Sequence, residues 1–279
     1  MPVNNLTITQ DLINDIKDVS IQASDQINKI YQQYKLGGKN IILQNKRDHS
    51  ELTKADLISH NIIYKALKKL TPHIPIVSEE LLESHALINQ EVFWLIDPLD
   101  GTKEFILATD EFTINIALIK NGSVHFGLIC APALNQTYWG SKLFGSYMTL
   151  DKQVKKISIS KPSQSEPLKF ISSRNHAEKE TLNFISNFKN TISAGIGSSL
   201  KFCLIGKGEA HIYPRFGRTC LWDTAAGQAI LENAGGYVFS AEGENLSYNK
   251  QSIFNSGFFA SAISFNEIKK RQETNLNII

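Results

Sequence analysis

The stretch "EVFWLIDPLDGTKEF", residues 91–105, is where the reading of this chain turns. An apolar run, Val92 to Ile96, stops at an acid, and a second acid follows three positions later: Asp97 and Asp100, with Pro98 between them and Gly101 after. Proline disfavours the helical region for the residue before it, so the strand is expected to continue up to Asp97. Gly101 permits a tight turn, and Thr102 is expected to cap a short helix made by Lys103, Glu104 and Phe105. Two carboxylates at the end of a buried strand repel each other, and the pair persists only with full solvation or a shared cation. Taken alone, the motif fits a solvated Asp-rich turn as well as it fits a metal site.

Other acids bear on the choice. "IPIVSEE" (74–80) is a second apolar segment ending in acids, Glu79 and Glu80, which could equally open a helix, where acids favour the dipole. "LWDTAAGQAILENAGG" (221–236) reads as a helix with Asp223 at its cap and Gly235-Gly236 at its end. Its small residues Ala225, Ala226, Gly227 and Ala229 would let it approach a backbone or ligand closely. Three acid-bearing segments, all at element ends, predict one convergent site for two or three divalent cations. Mg²⁺ suits such a site, since it takes carboxylate and phosphate oxygens at about 2.0–2.1 Å. Paired cations polarise a phosphate ester and activate water, which is phosphatase chemistry.

Around these segments the chain has a readable plan. Residues 6–34 carry apolar positions at Leu12, Ile13, Ile16, Val19, Ile27, Ile30 and Tyr31, a helical spacing, and "LGGKN" stops the helix. A second helix is expected over Lys54–Leu70, with Thr53 as N-cap and "TPHIP" closing it. "FTINIALIKNGSVHFGLICAP" (112–132) reads as a β-hairpin around Asn121-Gly122, and "TYWGS" and "SYMTL" extend its sheet. The polar segment 151–167 is the expected boundary. It divides an α+β half, 1–155, carrying the metal motif on an antiparallel sheet, from an α/β half, 156–279. In the second half "KFISS", "TISAG", "AHIYP" and "GYVFS" alternate with helices from about 178, about 198 and 223.

The bulk properties exclude several classes. With 42% hydrophobic and 20% charged residues in 279, the chain is globular. Lys+Arg of 29 nearly cancels Asp+Glu of 27, so there is no basic footprint for a nucleic-acid polymer, and an anionic ligand must be met by local groups. Cys130, Cys203 and Cys220 are odd in number, dispersed and without a CxxC, which argues against disulfides and zinc and suits a reducing cytoplasm. No signal peptide is evident, and no apolar run reaches the roughly 18 residues of a spanning helix, leaving peripheral contact with the inner membrane face as the membrane role still open. A monomer and a homodimer are equally compatible with the sequence.

"DPLDGTKEF" and "WDTAAGQAILENAGG", with "SEE" upstream, resemble the lithium-sensitive, magnesium-dependent phosphatase superfamily that includes inositol monophosphatases and fructose bisphosphatases. Within it, "ISSRNHAE" (171–178) and "GIGSSLKFCLIGKGEAHIYPRFG" (195–217) are similar to the bisphosphate nucleotidases. The resemblance covers nearly the whole chain. It implies the layered α-β-α-β-α sandwich of the inositol monophosphatase and fructose-1,6-bisphosphatase type, combining α+β and α/β halves. It implies two or three Mg²⁺ held by Glu79, Asp97, Asp100, Asp223 and the backbone carbonyl of Leu99. Gly101 and Thr102 would touch the scissile phosphate, with Thr102 orienting the attacking water, and Ser173, His176, Gly197, Ser198 and Lys201 would bind the nucleotide and its second phosphate. There is one departure. Many members of the superfamily place an aspartate three residues before the threonine of a DxxTxxD segment, as partner of the signature threonine; "SELTKAD" has Ser50 there, leaving Asp48, Glu51 or the metals alone to activate water.

The substrate can also be weighed from residues. Inositol and sugar phosphatases bind ring hydroxyls, which an acid accepts well; "YPRFGRTCL" (213–221) has no acid and two arginines, Arg215 and Arg218. Arginine suits bidentate phosphate recognition or stacking on a base, and Lys201 follows a Gly-Ser-Ser helix start, although both Arg215 and Lys201 also read as ordinary surface cations. The expectation is a small-molecule nucleotide substrate, adenosine 3',5'-bisphosphate cleaved to AMP and phosphate, with the sulfated form as a second substrate; the resemblance, not the residues, implies lithium as an inhibitor. An inositol or sugar phosphatase is the alternative within enzymes. A catalytically silent nucleotide sensor, suggested by Ser50, is the alternative outside them.

Overall fold

The Thr9 hydroxyl accepts the Leu12 N–H at 3.2 Å, so α1 runs Gln10–Lys35 and begins later than the apolar spacing from residue 6 suggested. The structure, a computed structural model, describes residues 7–37, 42–45, 51–174, 179–248 and 251–276. A short ribbon, β1 (Ile42–Asn45) with β2 (Glu51–Thr53), leads to α2 (Lys54–Leu70). Thr53 caps α2 as expected, within a capping box closed by Asp56.

A seven-stranded sheet follows: β3 (Ile76–Ser78), β4 (Val92–Asp100), then after α3 (Thr102–Ile106) β5 (Thr113–Lys120), β6 (Ser123–Ala131), β7 (Gln136–Ser141), β8 (Gly145–Leu150) and β9 (Gln153–Lys156), in that spatial order. Asn121 and Gly122, both at positive φ, make the two-residue turn between β5 and β6. The remaining elements are β10 (Leu168–Ser173), α4 (Lys179–Ser186), β11 (Thr191–Ile196), α5 (Leu200–Gly206), β12 (Ile212–Arg215), β13 (Thr219–Cys220), α6 (Leu221–Asn233), β14 (Tyr237–Ser240), β15 (Phe254–Asn255), β16 (Phe258–Ser261) and α7 (Phe265–Leu276). Five of these strands form the second sheet, ordered β11-β10-β12-β16-β14, with β10, β11 and β12 parallel.

Alternation along the strands sorts the core into layers. Trp94, Ile96, Ile114, Ile116, Leu118, Phe126 and Leu128 face α1 and α2. Phe93, Leu95, Ala117, Ile119 and Ile129 face the other way, onto Phe202 and Cys203 of α5 and Ala225, Ala226 and Ile230 of α6. Tyr213, Phe258 and Ala260 of the second sheet meet the same helices from the opposite side. Phe170, Ile212 and Phe259 point outward to Ile185 of α4 and Ile268 of α7. The order is therefore helices, sheet, helices, sheet, helices: the α-β-α-β-α sandwich implied by the sequence motifs. The site sits where β4, α3, α5 and α6 end against one another.

Candidate active site

In a regular strand, residues three apart point to opposite faces. Asp97 and Asp100 do not, because the pairing with β5 slips between them: Asp97 lies opposite Asn115 and Asp100 opposite Thr113. Three steps on β4 match two on β5, and this one-residue bulge turns both carboxylates toward the layer that holds α6. Pro98, with no N–H to give the ladder, sits within the bulge. The Pro98 carbonyl accepts Ser59 Oγ at 2.7 Å, and Asp97 Oδ1 accepts the Leu99 N–H at 3.0 Å.

The other acids reach the same point. Glu79 follows β3, donates its N–H to the Ile96 carbonyl at 3.2 Å, and hydrogen-bonds Asp97 through its carboxyl. Asp223 is not the helix cap: Cys220 occupies that position, and Asp223, three residues on, accepts the Cys220 N–H at 2.8 Å. Asp97, Asp100 and Asp223 each bring a carboxylate oxygen within 4.8 Å of the others. Burial, then repulsion from Glu79, Asp100 and Asp223, pushes the Asp97 carboxyl well up; burial, then Asp100 and Glu79, does the same to Asp223. Asp100 rises to about 6, mainly through burial, with Lys201 pulling it back and Glu104 adding to the rise. Acids so destabilised in their charged form, with oxygen as the only donor type, fit hard divalent cations.

Beside them, Gly101 (φ +86) rather than Thr102 is the N-cap of α3, because only a left-handed residue turns the chain there. Thr102 is left with its hydroxyl facing inward. It donates toward the Leu99 carbonyl at 3.2 Å and toward Asp56 Oδ1 at 3.4 Å. Asp56 is 1% exposed; its other oxygen accepts both the Thr53 N–H, at 2.8 Å, and the Thr53 hydroxyl, at 2.5 Å. Among the described residues, the acidic neighbour of Thr102 lies three residues after Thr53, at Asp56. Ser50 and Asp48 lie outside the described residues, as does the side chain of Glu51. The sequence signal is Thr53-x-x-Asp56, the closing half of the DxxTxxD segment, which the structure shows to be a capping box.

A cleft of about 610 Å³ opens over this cluster. It is lined by Asp100, Gly101, Thr102 and Asp223, and also by Ser173, Gly197, Ser198, Lys201 and Arg215, which the sequence nominated for a nucleotide. His176 lies outside the described residues. Asp97 is buried beneath the floor, 2% exposed. Lys201 is no surface cation: at 4% exposure it donates to the Ile196 and Ser198 carbonyls at 3.0 and 2.6 Å, and burial lowers it to about 8 against the opposing pull of Asp100 and Glu104. Arg215 donates to Ser173 Oγ at 3.2 Å. Glu104, Ser199, Tyr213, Thr219 and Phe258 also line the cleft, although in the sequence each reads as an ordinary polar or core residue. Ser199 binds Asp100 directly, through its N–H to Oδ2 at 2.6 Å.

Residues 13–273 match the model of the inositol monophosphatase family. A 3'(2'),5'-bisphosphate nucleotidase CysQ of Buchnera aphidicola is 39% identical over 272 residues, covering 94% of this chain and 97% of the relative. Another, from Salmonella typhimurium, is 37% identical over 251 residues, covering 88% and 98%. The crystal structure of CysQ from Bacteroides thetaiotaomicron, described as a bacterial member of the inositol monophosphatase family, superposes with a TM-score of 0.77 at 31% identity over 91% of this chain and 98% of that one.

Proposed function

The chain belongs to the inositol monophosphatase family, and from that premise we propose that it is a 3'(2'),5'-bisphosphate nucleotidase, cleaving the 3'-phosphate of adenosine 3',5'-bisphosphate to give AMP and phosphate. The sulfated analogue, 3'-phosphoadenylyl sulfate, is its second substrate. One observation carries the reading: a carboxylate cluster and a cationic wall, Lys201 and Arg215, line a single cleft. The first serves one phosphate and the second another, which a polyol monophosphate would leave unused.

Two or three Mg²⁺, held by Glu79, Asp97, Asp100, Asp223 and the Leu99 carbonyl, would supply phosphate polarisation and a lowered pKa for the attacking water. The chain's own groups do the rest. Asp56 Oδ1 draws the Thr102 proton, so that Thr102 Oγ1 turns its lone pairs to the water and accepts a proton from it. Gly101 lines the cleft, where its backbone would meet the phosphate. Two of the three Lys201 donors serve backbone carbonyls, and the third is available to the substrate's second phosphate. Arg215, steadied by Ser173, faces the same region as a planar donor suited to phosphate or to a base. A cytoplasmic setting belongs to the same proposal. Phosphate release from adenosine 3',5'-bisphosphate should vanish in Asp97→Asn and in Asp223→Asn; substantial activity in either variant would overturn the metal assignment.

A further inference from the structure

The wall of the cleft that carries Gly197, Ser198 and Lys201 is fastened from outside the cleft. Glu111, in the loop between α3 and β5, accepts the Gly197 N–H at 2.7 Å through Oε2. The same carboxylate takes a bidentate pair from Arg174, Nε to Oε2 at 2.9 Å and Nη2 to Oε1 at 2.5 Å. Arg174 directly follows Ser173 at the carboxyl end of β10, and Gly197 follows Ile196 at the carboxyl end of β11. The two strands are neighbours in parallel register, Ser173 opposite Ile196, and the Arg174 N–H reaches the Ile196 carbonyl at 3.3 Å. Carboxyl ends of parallel strands are where ligands settle in open α/β sheets. One side chain thus staples both nucleotide-facing strand ends to the loop that leaves α3.

The fit around the staple is close. A side-chain carbon on Gly197 would come within 2.9 Å of the Glu111 carbonyl and 2.5 Å of Glu104 Cγ, so the strand end cannot approach without glycine. Ser198, next along, is held at φ +50, a conformation costly for a residue with a side chain. A strained loop keeps one geometry only if its surroundings fix it. The Glu111 loop is itself anchored: Asp110, at φ 63, accepts the Tyr31 hydroxyl of α1 at 2.6 Å. Two consecutive acids therefore face opposite ways, one gripping the first helix and the other the nucleotide wall. Burial would raise the Glu111 carboxyl, but the hydrogen bonds from Arg174 and Gly197 hold it below its ordinary range, as expected of a permanently charged clamp.

We propose that Glu111 is a positioning residue that sets affinity for the nucleotide part of the substrate by locking Gly197–Ser199 and Ser173 in place, without touching the reacting phosphate. The inference rests on the nucleotidase reading for its substrate, but the clamp itself can be tested without one. In the full-length protein, Glu111→Ala should raise KM for adenosine 3',5'-bisphosphate roughly tenfold, the scale of the charge-assisted hydrogen bond to Gly197 N–H, the one of its three that holds the wall itself. The loss of kcat/KM for phenyl phosphate, which has no nucleotide, should be about fivefold smaller. Glu111→Gln keeps an acceptor for Gly197 but loses the charge facing Arg174, and it should fall between; it also serves if the alanine variant folds poorly. Without ligand, amide exchange in a peptide spanning residues 192–200 should quicken in both variants. Equal losses for both substrates would mark Glu111 as merely structural, and unchanged exchange, or faster exchange with unchanged KM, would also overturn the proposal. If the unaltered protein did not cleave the bisphosphate at all, the substrate reading would fall, and exchange alone would decide whether Glu111 clamps the wall.

Discussion

Asp56 carries two duties that a mutation can separate. One oxygen closes the capping box of α2 on Thr53, and the other meets the Thr102 hydroxyl. Asp56→Asn keeps the size and removes the charge, so it should cost about 1 kcal/mol of stability as a weakened cap. Its effect on turnover should be far larger, a fall of about a hundred- to ten-thousandfold in kcat, the usual worth of a placed proton acceptor. Thr102→Ser, which retains the hydroxyl, should keep most of the activity, whereas Thr102→Val should resemble the Asp56 variant. Steady-state kinetics with a urea melt on each variant separates the two effects; an Asp56→Asn enzyme with near-normal kcat would remove Asp56 from the chemistry. This residue also marks a limit of reading the chain alone. The sequence directs attention to Ser50, which lies outside the described residues, while the fold brings together the threonine of one element and the first turn of another.

At the level of elements, the decisive fact is how closely α6 lies on the first sheet. The small residues from Ala225 to Ala229 foretold a close approach, but not its partner. That partner is Gly127 of β6, where an added methyl would come within 2.4 Å of the Ala226 carbonyl, together with Gly140 of β7, whose methyl would meet the Ala229 carbonyl at 2.8 Å. Glycine inside a strand normally weakens it, and here it admits a helix backbone instead. Gly127→Ala should therefore destabilise by about 1–3 kcal/mol or more, since backbone atoms cannot rotate aside. A urea midpoint matching that of the unaltered protein would show that the layers are looser than described. The consequence for function is direct: α6 carries Asp223 on its first turn, and the glycines bring that turn within reach of Asp97 and Asp100. Which segments would hold acids was legible, as were the hairpin, the five layers and the helix order. What a sequence period could not reveal was the bulge, because Asp97 and Asp100 count as opposite faces until one extra residue is inserted between them.

Across the whole molecule, the charge distribution is more telling than its sum. A formal net charge of +2 gives no long-range preference, yet one cleft is lined both by half-buried acids, Asp100 and Asp223, and by two cations, buried Lys201 and half-buried Arg215. On the proposed function, such a lining would favour a ligand with one phosphate at the carboxylate cluster and a second anionic group at Lys201 and Arg215. No helix among the described residues is long and apolar enough to cross a membrane. Substrate choice is thus the property that the entire arrangement serves, and it is measured most directly by phosphate release from three compounds in parallel: adenosine 3',5'-bisphosphate, inositol 1-phosphate and fructose 1,6-bisphosphate, each with Mg²⁺ and after chelation. The bisphosphate nucleotide should give the highest kcat/KM by a wide margin, and only with the metal present. A higher kcat/KM for either of the other two, or undiminished release after chelation, would contradict the account.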